Sequence, residues 1–267
     1  MDDLYEKDEL REVFAGGEMR KLNPVALTMA DPVKLTMTYS DAEREKAPLF
    51  AEHEWQPVDL DPFIGPVTDQ NGIGMCCAAT TVEAMMGSTA FAGCDPLSLS
   101  GGDLYRRVAG GRDSGSLPED CLREAMNGVA TTNTVPFLEW RRSNSQADAE
   151  RSVNRIDEAY FVKSVGELVS SAMAGFFTNV CMFWYDSDGN TDSKGRLPER
   201  PSGRRGGHSI TGSGFVLIDG KAYIKIRNHW RPAWGINGCG YLPLTRIANN
   251  LSSFRMWAVR SVTQKGG

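Results

Sequence analysis

An α+β fold in two lobes that share a cleft is the architecture this sequence predicts, and two features of the chain carry that prediction. Helix patterns occupy residues 76–127, and strand patterns dominate after residue 179. The length, 267 residues, suits one large domain or two such lobes and is enough to bury a real core.

Residues 1–50 read as an N-terminal extension, separate from a main unit at 51–267. Leu4, Leu10, Val13 and Phe14 give residues 2–14 a weak helical face. Residues 33–39, VKLTMTY, alternate strictly and predict a half-buried strand; 25–29, VALTM, is a second strand candidate across the Asp31–Pro32 turn. Residues 40–48 form a polar connector, and the Pro-, Gly- and Asp-rich stretch 55–75 should be extended or looped. The run CCAATTVEAMM, 76–86, lacks Gly and Pro and predicts a buried helix that Gly87 ends. A second helix is expected over 118–127, with Pro118 in its first turn and Gly128 past its end. The polar segment 141–152 reads as a loop crossing between a helical lobe at about 70–150 and a β lobe at about 155–267. After a short helix near 165–174, strands are expected at 179–185, 208–218, 222–228 and 254–260, with Asp219–Gly220 as a hairpin turn. The 186–207 stretch between them is a long polar loop of the kind that is functional or disordered.

Composition excludes several classes of function. The net charge is −5, and the pairs Arg106–Arg107, Arg141–Arg142 and Arg204–Arg205 are scattered, so they read as solvated surface charge. A nucleic-acid partner needs a basic footprint and is not expected. No apolar run approaches the roughly 20 residues of a membrane span, and the acidic start MDDLYEKDELREVF lacks a signal peptide's apolar core. The expectation is a soluble chain with no secretion address in it. Of the six cysteines (Cys76, Cys77, Cys94, Cys121, Cys181, Cys239), the pair Cys76–Cys77 is not a chelating spacing and no C-x-x-C occurs, so no metal is expected. If one cysteine is a catalytic thiol, at least one other is unpaired. Cys94, Cys121, Cys181 and Cys239 remain as candidates for one or two disulfides.

The chemistry concentrates at Gln70-Asn-Gly-Ile-Gly74-Met-Cys76. A helix that starts at Cys76 places partial positive charge beside the thiol and favours thiolate. Gly74 lets backbone approach a ligand closely. Gln70 can offer a side-chain N–H to a developing oxyanion, beside the backbone N–H of Cys76. A cysteine opening a buried helix also has a plain packing use. A second element, Gly206-Gly207-His208, opens a strand 132 residues beyond Cys76. A third, Asn228-His229-Trp230, lies 20 residues after His208 and leads to Trp234-Gly235-Ile-Asn-Gly238. The Asp219–Gly220 turn would bring His208 and Asn228 side by side. His53, in the charged stretch AEHEW, reads as a surface residue. His229 follows Asn228 on a strand and should point to the opposite face.

Taken together, P-V-x-x-Q, G-x-C-x-A, G-H and N-x-W…W-G-x-N-G occur in the order and spacing of the papain family of cysteine peptidases, and residues 55–260 resemble that family. The likeness leans toward its microbial and viral branches, since Gly111-Arg-Asp-Ser-Gly115-Ser-Leu-Pro118 replaces the C-x-x-C-x-G-G segment of plant and lysosomal members. Other departures are Ile73 where a disulfide cysteine is common, Cys77 in place of Trp or Phe, and His229 in place of Ser.

The resemblance implies a helical lobe and a β-barrel-like lobe, with the active site in the cleft between them. It implies a Cys76–His208 thiolate–imidazolium pair, an acyl-enzyme intermediate and an Asn228 that holds the His208 ring, with Gln70 in the oxyanion hole. Trp230 would shield the His208–Asn228 hydrogen bond. Gly74, Gly115, Gly207 and Trp230 would line the substrate site, with Gly115 pairing to an extended peptide. The implied partner is a peptide or protein substrate, and no cofactor is implied. Cys77 reads as a packing residue, since its side chain sits about 100° around the helix from Cys76. Residues 1–50 fit either an inhibitory prosegment or extra strands on the β lobe. Two alternatives remain at this level. One is a papain-like binding module with chemistry altered around Cys77 and His229. The other is a different Cys–His hydrolase, such as a cell-wall amidase or a transamidase, which would not explain the N-x-W…W-G-x-N-G segment.

Overall fold

The computed structural model describes residues 11–15, 18–22, 47–95, 98–142 and 145–263. The strand candidates at 25–29 and 33–39 lie outside these residues. Where the weak helical face was expected, residues 11–15 instead form a strand, β1 (Arg11–Ala15), paired antiparallel with β2 (Glu18–Leu22).

Three helices follow the short strand β3 (Val58–Asp59): α1 (Cys76–Phe91), α2 (Gly101–Val108) and α3 (Pro118–Met126). Helix α1 is buried along nearly its whole length, as expected for a helix that is apolar on all sides. Gly87 does not end it. A Cβ at that position would sit 2.5 Å from the Phe177 ring, so the glycine is the notch that seats α1 on the sheet. Helix α2 begins with two glycines, against helix propensity, and is started by Ser100, whose hydroxyl accepts the Asp103 N–H at 3.0 Å. Helix α3 matches expectation, with Pro118 at its start and Gly128 at φ +99 beyond its end. Arg107, expected to be solvated, is mostly buried and with Arg151 clasps the fully buried Asp103.

The segment 141–152 is not only loop, since α4 (Ala147–Arg151) lies within it. Beyond it come β4 (Arg155–Val162), α5 (Val165–Met173), β5 (Phe177–Tyr185), β6 (Arg205–Ile218), β7 (Lys221–Arg227), β8 (Cys239–Pro243), α6 (Leu244–Asn250) and β9 (Met256–Thr263). The strands form one antiparallel sheet of order β4-β9-β5-β6-β7-β8, with β3 paired to β6. It is an open sheet with β4 and β8 at the ends of its path, not a closed barrel. The long strand β6 pairs with β5 through its first half and with β7 through its second. The Asp219–Gly220 hairpin has φ +52 and +74, the left-handed pair such a two-residue turn requires.

Alternation along β5 and β9 divides the interior into two cores. Phe177, Trp257 and Val259 face α1–α3 together with Met75, Val82, Leu104 and Leu122. Val180, Met182, Trp184, Met256 and Ala258 face α5 and α6 with Ile210, Ile224, Trp230 and Leu242. The polar 186–207 loop is anchored by Asp188, which forms a buried pair with Arg246 at 2.7 Å and whose carbonyl accepts the Trp234 indole N–H. No helix among the described residues is long and apolar enough to cross a membrane.

Candidate active site

The residues singled out in the sequence converge where the two cores meet. Cys76 is the first residue of α1, so its thiol stands at the positive end of that helix. His208 projects from β6, opposite Met182 of β5. Asn228 follows β7 directly, its N–H donating to Gly238 O at 2.9 Å. His208 Nε2 and Asn228 Oδ1 are 2.9 Å apart. Nδ1 of the same ring has no hydrogen-bond partner among the described residues. Cys76 and His208 are each 1% exposed.

An aromatic box holds the imidazole. The Trp230 ring lies 4.9 Å from that of His208 at 30°, and Trp184 meets it edge-on at 5.0 Å. Trp184 packs in turn on Trp230 and Trp234. Trp230 therefore fills a core position and also packs on the His208 ring. Trp184 was not expected here. It sits in β5 opposite Gly206, and strand pairing is not written in either segment alone.

Gln70 is fully buried. Its backbone N–H donates to His229 O at 2.9 Å, and its Nε2 donates to Ile73 O at 2.7 Å. The second hydrogen of that amide is left over. Gly74 N–H donates to Asp113 Oδ1 at 2.8 Å, which also accepts the Tyr105 hydroxyl at 2.9 Å. Gly115 N–H donates to that same hydroxyl at 3.0 Å. Tyr105 thus joins the Gly74 loop to the Gly115 loop, a tie that no local pattern announced. Burial and the Asp113 carboxylate both raise its pKa, which keeps it a phenol and a donor. Gly207 is buried in β6 opposite Phe183.

Burial pushes the Cys76 thiol well above its ordinary value, and the Cys77 thiol adds to this, while the neighbouring His208 acts the other way. In this enclosed arrangement burial therefore weighs against a standing thiolate and His208 weighs for it. Cys77 donates to Ser116 O at 3.2 Å and packs in the helical core. All six cysteines are free, so the candidate disulfides are not formed. Cys121 and Cys181 are buried, and the Cys239 thiol donates to Asp61 Oδ2 at 3.2 Å. His53 is exposed in a short turn. His229 turns away from His208, as its place after Asn228 requires, and is fully buried beneath α1. It lies 3.0 Å from Thr80 Oγ1, 3.2 Å from Thr68 Oγ1 and 3.5 Å from Glu83 Oε1.

A family model described as papain family cysteine protease matches residues 52–261. Chymopapain of Carica papaya is 26% identical over 191 residues, 70% of this chain and 53% of that protein. Mexicain of Jacaratia mexicana is 27% identical over 197 residues, 69% of this chain and 85% of that protein. The chain thus spans about half the length of the first of these relatives and most of the second. Among solved structures, xylellain, a cysteine protease from Xylella fastidiosa, superposes with a TM-score of 0.74 at 20% identity, covering 96% of this chain and all of that one. Digestive procathepsin L 3 of Tenebrio molitor larval midgut gives 0.65 at 17% identity over 87% of this chain and 76% of its own. At these identities the structures share the fold.

Proposed function

The chain belongs to the papain family of cysteine proteases, and from that premise we propose that it is an endopeptidase that cleaves peptide bonds through an acyl-enzyme on Cys76. The observation that carries the reading is the His208–Asn228 bond at 2.9 Å, which commits Nε2 and leaves Nδ1 open beside the thiol. Asn228 accepts from Nε2–H, fixing the tautomer that makes Nδ1 the base. The proton of Cys76 passes to Nδ1 as sulfur attacks the scissile carbonyl carbon. A C–S bond forms, and the oxygen takes the negative charge. The Cys76 amide, free at the helix start, and the second hydrogen of Gln70 Nε2 stabilise that oxygen. As the C–N bond breaks, His208 returns the proton to the leaving amine. It then takes a proton from water as the water oxygen bonds to the thioester carbon; the C–S bond breaks, the acid leaves, and the proton on His208 returns to the Cys76 sulfur. The Trp184–Trp230 box excludes water from the Nε2 bond and limits the ring to the motion the transfers need.

The positions of the two departures support this reading over a binding module. Cys77 is engaged by Ser116 and His229 by Thr68, Thr80 and Glu83, so neither intrudes on the His208–Asn228 bond. The proposed division keeps residues 1–50 as an extension to a peptidase unit at 51–267. Contact of β1 with the turn Asp186–Gly189 supports packing of that extension on the β lobe. A peptide-library cleavage profile of the full chain beside Cys76→Ala tests the function. Cleavage by the parent and none by the variant is expected; equal cleavage by both would refute it.

A further inference from the structure

Gln70 is held from both sides by a residue on the opposite wall of the cleft. Residues 69–70 run antiparallel to 229–230: Asp69 bridges Trp230, and Gln70 N–H donates to His229 O at 2.9 Å. One side of this short ladder carries Gln70, and the other is the Asn228–Trp230 segment that holds His208. Arg231, the next residue, has φ +71. That left-handed conformation is uncommon for a residue with a Cβ, and Pro232 behind it favours extended backbone instead. Glycine would take the position without strain. What arginine adds is its guanidinium. Nε donates to Asp69 Oδ2, and Nη2 donates to Asn71 Oδ1 at 3.3 Å. The other Asp69 oxygen accepts the Asn71 N–H at 2.9 Å. Both chain neighbours of Gln70 are therefore bound to Arg231. The ion pair is part exposed, with Asp69 at 23% and Arg231 at 41%, so it contributes little to global stability and its effect must be local.

We propose that Asp69 and Arg231 are positioning residues, a latch across the cleft that fixes Gln70 Nε2 where the oxyanion forms. The inference rests on the reading of Gln70 as oxyanion donor. It follows from geometry: a donor aimed at a transition state loses effect when displaced by a fraction of an ångström to an ångström, and the latch closes the ladder that sets its place.

The test measures kcat and KM on a peptide amide for Asp69→Asn, Arg231→Gly and Arg231→Lys, each alone and combined with Gln70→Ala. It also follows the rate of Cys76 alkylation by iodoacetamide, a displacement that needs the Cys–His pair and no oxyanion hole. Because glycine accepts φ +71, Arg231→Gly is expected to fold with an unchanged or higher Tm. Asp69→Asn and Arg231→Gly should each lower kcat roughly 10-fold with KM nearly constant. Alkylation should be unchanged, and Arg231→Lys should retain part of the activity. In the Gln70→Ala background neither variant should cause further loss. If Gln70→Ala is impaired while both variants keep full kcat, the latch is overturned and the oxyanion reading stands. A loss that persists without Gln70, or that alkylation shares, would mean a general structural role and overturn it equally. An unimpaired Gln70→Ala would overturn the oxyanion reading and the latch together.

Discussion

His208 and Asn228 stand with Nε2 and Oδ1 2.9 Å apart, between the rings of Trp184 and Trp230. The arrangement commits one ring nitrogen and leaves the other open, so in the proposed mechanism the histidine enters with one tautomer and one orientation. Removing the histidine should then be as damaging as removing the thiol. Cys76→Ala and His208→Ala are each expected to abolish turnover with unchanged circular dichroism. Because they act as a unit, the double variant should be little worse than either single one. Turnover by either single variant, or losses that multiply, would break the pairing.

Gln70→Ala should reduce kcat by on the order of 10²–10³ with a small change in KM, because its donor acts on charge that develops only in the transition state. Steady-state kinetics on one amide substrate decides it; a change confined to KM would make Gln70 a ground-state contact.

Glu83 should govern acid stability. Burial alone would raise its pKa, but His229 and Arg227 outweigh burial and hold it at about 2 against an ordinary 4.5. The folded value lies below the unfolded one, so the contribution is fully present above pH 4.5 and disappears as pH falls through 2. It amounts to a few kcal/mol in order of magnitude. Urea midpoints between pH 7 and 2 should fall steeply for the parent. Glu83→Gln should be less stable at pH 7 and flatter across that window; parallel curves would mean that Glu83 is not the group responsible.

Gly87→Ala should destabilise despite the better helix propensity of alanine. The propensity gain is at most about 1 kcal/mol, whereas a Cβ placed 2.5 Å from the Phe177 ring forces α1 off β5 at about 1–3 kcal/mol. A Tm equal to or above the parent would show that α1 yields freely there.

Gly87 also marks where sequence reading stops. A glycine after a Gly- and Pro-free run looks like a helix end, and only the neighbouring Phe177 reveals it as a packing notch. Helix α2 was hidden by its two leading glycines. In β4 a register shift at Glu158 breaks the alternation that would have exposed the strand. Cys76, His208, Asn228 and Gln70 were legible as candidates because each sits in a short motif whose local chemistry suggests a use. Trp184, Tyr105 and Arg231 were not, since their contacts at the site come from cross-strand and cross-cleft neighbours. The open sheet was likewise invisible, because closure depends on whether β4 meets β8.

The most direct test is the site of covalent capture by a peptidyl chloromethyl ketone, mapped by mass spectrometry on the full chain at neutral pH. One adduct is expected, on the Cys76 sulfur, formed in step with loss of peptidase activity and absent in Cys76→Ala. Stoichiometric labelling at Cys77 or any other cysteine, with Cys76 unmodified and activity lost, would contradict the assignment of the nucleophile and the mechanism built on it.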